Sequence, residues 1–121
     1  MNYDKNNIFA KIIRKEIPCN KIYENEFVLS FYDINPQKKI HALIIPKGEY
    51  IDLDDFNKKA SNQEIVALSK GITEVAKILG ISSEKGKGYR ALTNLKDHGG
   101  QEVPHLHFHL FGGENVGKMV E

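Results

Sequence analysis

Of the five histidines in the chain, three fall at alternate positions in the run Val103-Pro104-His105-Leu106-His107-Phe108-His109-Leu110-Phe111-Gly112-Gly113. Strict alternation with apolar residues is the pattern of a half-buried β-strand, in which successive side chains point to opposite faces. His105, His107 and His109 then share one face, and Leu106, Phe108 and Leu110 form the other. Burying three imidazoles without partners is unfavourable, so their register points to chemistry rather than packing. Two chemistries suit imidazole. It is a common zinc ligand, but on an extended strand the outer pair stand roughly 13 to 14 Å apart at Cα, a span one ion barely bridges. It is also a nucleophile and proton carrier near neutral pH, suited to covalent group transfer when a neighbour fixes its tautomer.

Several elements could position these groups. Ile8, Phe9, Ile12 and Ile13 have helical spacing over residues 7–15, with Pro18 beyond. Residues 21–24 and 28–32 read as two strands of a hairpin, and His41-Ala42-Leu43-Ile44-Ile45-Pro46 as a central strand opened by a histidine. Residues 61–79 read as the long helix: Ser61 and Glu64 form a capping box, Ile65, Leu68, Ile72, Val75 and Leu79 share a face, and Gly80 ends it. Residues 89–92 resume a strand beside the histidine strand. Other polar groups have two readings each. Asp33 beside Pro36 is a turn-former or a ligand, His41 a strand end or a participant, and Asn94 a turn residue or a donor. Gly99-Gly100 permit close backbone approach and could offer an anion-binding nest.

At 121 residues the chain is long enough for one domain, 1–121, with its own core. A formal net charge of +1 gives no reason to expect nucleic acid or an anionic membrane as partner. Cys19, the sole cysteine, excludes an intrachain disulfide and a cysteine-rich zinc motif. The first residues carry no basic leader and no apolar run of spanning length occurs, so a cytoplasmic protein is expected.

His-Leu-His-Phe-His-Leu-Phe resembles the alternating motif of the histidine triad (HIT) family, and Gly112-Gly113 resembles its Hint branch. Segment 9–18, Asp33-Ile34-Asn35-Pro36-Gln37, segment 41–47, Gly88-Tyr89-Arg90 and Gly99-Gly100-Gln101 resemble Hint segments in the same order. The resemblance implies an α+β fold: a five-stranded antiparallel sheet with one long and one short helix, continued across a two-fold homodimer. It implies hydrolysis of a purine nucleoside phosphoramidate through a nucleotidyl-histidine, without cofactor or metal. His107 would be the nucleophile, His109 the proton donor, and His105 and His41 would orient them. Asp33 would take the ribose hydroxyls, Ile34, Phe9, Ile12 and Ile17 the base, and Asn94, Gly100, Gln101, Glu102 and Val103 the phosphate region. Glu102 stands where some members carry Ser, which favours a cationic leaving amine. The rival readings are a dinucleoside polyphosphate hydrolase of the same family and a non-catalytic nucleotide-binding or interaction protein.

Overall fold

The structure, a computed structural model, describes residues 2–120. A short helix, α1 (Ile8–Ile13), starts where the Asn7 side chain accepts from the Ala10 N–H. A hairpin follows, β1 (Lys21–Glu24) and β2 (Val28–Tyr32), whose turn is closed by Asn25: its side-chain oxygen accepts from the N–H groups of Phe27 and Val28. Next come β3 (Ile40–Pro46), two helices, α2 (Leu53–Lys59) and α3 (Asn62–Ile78), then β4 (Arg90–Leu92), α4 (Lys96–Gly99) and β5 (Phe108–Gly112). The strands form one antiparallel sheet in the order β1-β2-β3-β5-β4.

Both halves of the expected capping box on α3 are present, since Ser61 accepts from the Glu64 N–H and the Glu64 carboxylate takes the Ser61 N–H. The helix lies on one face of the sheet, where Val28, Ala42, Ile44, Leu106 and Leu110 join Leu68, Val75 and Phe56 in a core. Its approach is close at Gly71, where a Cβ would stand 2.8 Å from Ile44 Cδ1. On the opposite face α1 packs Phe9 and Ile12 onto Leu29, Phe31, Leu43 and Ile45.

The structure departs from the sequence reading in the histidine strand and adds two helices. The histidine strand begins at Phe108, not Val103, because side chains replace the ladder ahead of it: the His105 carbonyl accepts from the His107 ring and the His107 carbonyl from the Thr93 hydroxyl. Alternation survives, with Leu106 turned into the α3 core and His107 to the other face, against Phe9. Helices α2 and α4 were not anticipated, although α2 has the usual signals: Asp52 caps it, Asp54 and Asp55 lie in its first turn, and Lys58 and Lys59 in its last. The segment after β5 turns back onto its own sheet, where the Arg90 guanidinium donates to the carbonyls of Gly117 and Lys118.

Candidate functional site

The α1 face opens into a cleft of about 270 Å³ lined by His41, His107 and His109 together with Phe9, Asp33, Asn94, Gly100, Glu102 and Val103. β3 and β5 set the histidines in register: Leu43 pairs with His109 and His41 with Phe111. Burial holds all four imidazoles, His105 included, below their ordinary value, taking His105 and His109 down to about 4. Each is therefore neutral at pH 7, with one N–H and one lone pair, and its partners decide which nitrogen carries which.

Those partners are largely backbone groups whose role is fixed. The His105 carbonyl lies 2.7 Å from His107 Nδ1, so Nδ1 bears the hydrogen and Nε2 the lone pair. No buried side-chain nitrogen or oxygen among the described residues lacks a partner, and His107 Nε2 has no protein partner, so that lone pair opens to the cleft. His41 is read the other way: the Gln37 N–H donates to its Nδ1 at 3.1 Å, which leaves the hydrogen on Nε2. His41 Nε2–H then donates to His109 Nδ1 at 2.9 Å, with Asp33 Oδ2 at 3.5 Å. The chain ends with His109 carrying its hydrogen on Nε2. A lone pair on His107 and an N–H on His109 thus stand side by side, with ring centroids 5.0 Å apart.

Comparison with known proteins shows the family. The HIT domain model matches residues 14–116. The chain belongs to the HIT domain family. It is 49% identical over 118 residues to an uncharacterized 13.2 kDa HIT-like protein of Azospirillum brasilense, covering 98% of this chain and 94% of that one. It is 43% identical over 113 residues to the purine nucleoside phosphoramidase of Escherichia coli, covering 93% and 92%. Among solved structures, a HIT family hydrolase from Clostridium thermocellum superposes with a TM-score of 0.85 at 39% identity, covering 98% of this chain and 99% of that one.

Not every expected residue of the HIT site reaches the cleft. Ile34 is 85% exposed beside it, and Ile12 and Ile17 line a second hollow, with Leu29 and Cys19. Gln101 is a brace, donating from Nε2 to the carbonyls of Ile51 and Val103. Asp33 is a turn-former, its Oδ1 accepting from the Asn35 N–H, and it also lines the cleft. The glycine nest is not free: the N–H groups of Gly99, Gly100 and Gln101 donate to Leu95, Asp97 and Lys96 within the α4 turn. Gly100 has φ +76°, which ends α4 and turns the chain. The amides beyond it, Glu102 and Val103, have no partner among the described residues.

Sequence reasoning missed the Gln37 amide and the Pro46 carbonyl, which act through backbone positions and leave no residue signature, and the Thr93 hydroxyl, whose acceptor is a backbone carbonyl 14 positions away. Asp33 Oδ2, His41 Nε2 and His109 Nδ1 are close enough to share a metal ion. The donor set argues against one. A ligating His41 Nε2 would need its hydrogen on Nδ1, where the Gln37 N–H already points.

No helix among the described residues is long and apolar enough to cross a membrane.

Proposed function

We propose that the protein hydrolyses the P–N bond of a purine nucleoside phosphoramidate to the nucleoside monophosphate and an amine. One observation carries the reading: His107 and His109 are held in opposite tautomers, so one offers a lone pair and its neighbour an N–H to the same small volume. His107 Nε2 attacks phosphorus while the departing nitrogen takes the His109 Nε2 proton. The positive charge formed on the His107 ring is stabilised by its bond to the His105 carbonyl and balances the charge left on His109, which the His41 N–H stabilises. Water then attacks the nucleotidyl-histidine, returns a proton to His109 and frees His107.

Among the described residues the charged side chains lining the cleft are Asp33 and Glu102, with no Lys or Arg. The phosphoryl oxygens would therefore be met by neutral donors, the amides of Glu102 and Val103 and the Asn94 side chain. Asp33 would accept the ribose hydroxyls. The base would lie from Phe9 towards Ile34, whose open side chain has area to bury, with Ile12 and Ile17 beyond. Glu102 favours a leaving amine that carries positive charge. The homologous phosphoramidase supports the substrate class. A two-fold homodimer belongs to the same reading, supported by the outer strand β4, whose outer edge pairs with no strand among the described residues. Light scattering showing a fully active monomer would remove it.

The deciding experiment is turnover of a fluorogenic adenosine phosphoramidate followed by mass spectrometry of acid-quenched protein. A nucleotidyl adduct on His107 is expected. Faster cleavage of a dinucleoside polyphosphate would shift the assignment within the family, and binding without turnover of either would make the protein a nucleotide-binding module.

A further inference from the structure

His105 faces away from the reaction just described, yet both of its ring nitrogens are held. The residue is fully buried. Its Nε2 lies 2.8 Å from the Pro46 carbonyl oxygen, which can only accept, so Nε2 carries the hydrogen and Nδ1 the lone pair. That lone pair meets the Tyr3 hydroxyl at 2.5 Å, from the opposite end of the chain. Burial raises the Tyr3 phenol above its ordinary value, so at neutral pH it keeps the hydrogen it donates. The two rings meet edge to face with centroids 5.6 Å apart. Tyr3 is itself fastened, since the segment after it is tied down where Asn7 Nδ2 donates to the Asp4 carbonyl at 2.7 Å.

We propose that Tyr3 is a positioning residue for the nucleophile: its hydroxyl clamps the His105 ring against Pro46, and the clamped residue presents the carbonyl that aligns His107. The ring and the carbonyl belong to one residue, so fixing the first at two points fixes the second. Without the hydroxyl, a buried acceptor loses its partner and the ring gains a reason to rotate towards another. The His105 carbonyl would then wander, and with it the direction of the His107 lone pair. The kinetic consequence rests on the hydrolase reading, but the structural one does not.

Tyr3→Phe removes one oxygen and keeps the ring. Imidazole nitrogen NMR of the parent should show His105 protonated on Nε2 with a hydrogen-bonded Nδ1, and in Tyr3→Phe that Nδ1 signal should move to the position of a free acceptor. The His107 Nδ1–H should exchange faster with water in the variant. With an adenosine phosphoramidate, kcat should fall roughly three- to ten-fold, the worth of one hydrogen bond, while KM and monophosphate affinity hold. Unchanged NMR signals and unchanged kcat would overturn the proposal, as would a loss confined to KM. Should the parent fail to turn over any phosphoramidate, the hydrolase reading falls, and the His105 and His107 signals alone still decide whether Tyr3 aligns the nucleophile.

Discussion

On the side of the sheet covered by α3, Val28, Ala42, Ile44, Leu106 and Leu110 are apolar and wholly buried, whereas on the side that α1 half covers, the adjoining residues include His41, His107 and His109. The same stretches of chain build both. Each reactive residue has a packed neighbour one position away, so a histidine cannot shift without dragging a core side chain out of register. The dry face supplies rigidity and the wet face spends it on holding ring orientations. Loss of function and loss of stability should therefore separate cleanly by face.

The most severe test is His107→Ala, for which turnover should drop by on the order of 10³-fold or more, with nucleoside monophosphate binding and the urea midpoint close to the parent's. A large loss of stability instead would show that the two faces are not independent. Leu110→Ala, one residue from His109 on the dry face, should cost about 2 to 5 kcal/mol in urea unfolding, and the protein that remains folded should keep its rate. Below both comes Asp33→Ala, which should weaken monophosphate binding by about 1.5 to 3 kcal/mol, the worth of hydrogen bonds to a charged acceptor. Equal calorimetric affinity would remove Asp33 from the site.

Mild acidity probes the wet face first. Because burial lowers the imidazole pKa values, with His109 at about 4, turnover should persist below the ordinary histidine value of 6.5 and fail only as pH approaches the lowered ones. Between 6.5 and about 4 the unfolded chain binds protons that the folded His105 and His109 refuse, so the histidine contribution to unfolding free energy should fall as pH is lowered through that window, and the carboxylates of Glu24, Asp55 and Glu64, held below their ordinary values by their partners, extend the loss to lower pH. Denaturant titrations at stepped pH check the sign. The smallest effect belongs to the dry side's helix: Ser61→Ala removes the α3 cap and should cost about 1 kcal/mol, with no change in rate.

The sequence displayed the strands and α3 because their signals are local. The apolar runs at residues 28–32 and 41–46 and the capping box at Ser61 each sit within a few positions. It also displayed which residue types would meet, since His41, Asp33 and Asn94 do line the cleft beside His107 and His109. The proton arrangement was not legible. It is set by the Gln37 amide and the Pro46 and His105 carbonyls, groups every residue type except proline's missing N–H can supply, and only the folded path brings them to the rings. The displacement of Ile12 and Ile17 to the far hollow was hidden for a related reason: helical spacing gives the buried side of α1 but not where the cavity beside it divides. Helix α2 was hidden by neither cause, since its charges and cap are visible in the sequence.

Strand order carries a consequence for synthesis. β5 follows the other four described strands in the chain, yet it lies inside the sheet, between β3 and β4. As the chain leaves the ribosome, β1, β2 and β3 can pair in turn, whereas β4 has no strand to join until β5 slots in beside it. The contact between His41 and His109 closes a loop of 68 positions and completes the reactive cleft in the same event. A nascent or truncated chain that stops short of Phe108 is therefore both unfinished as a sheet and chemically inert, so activity in the growing chain becomes a direct clock for the docking of its final strand.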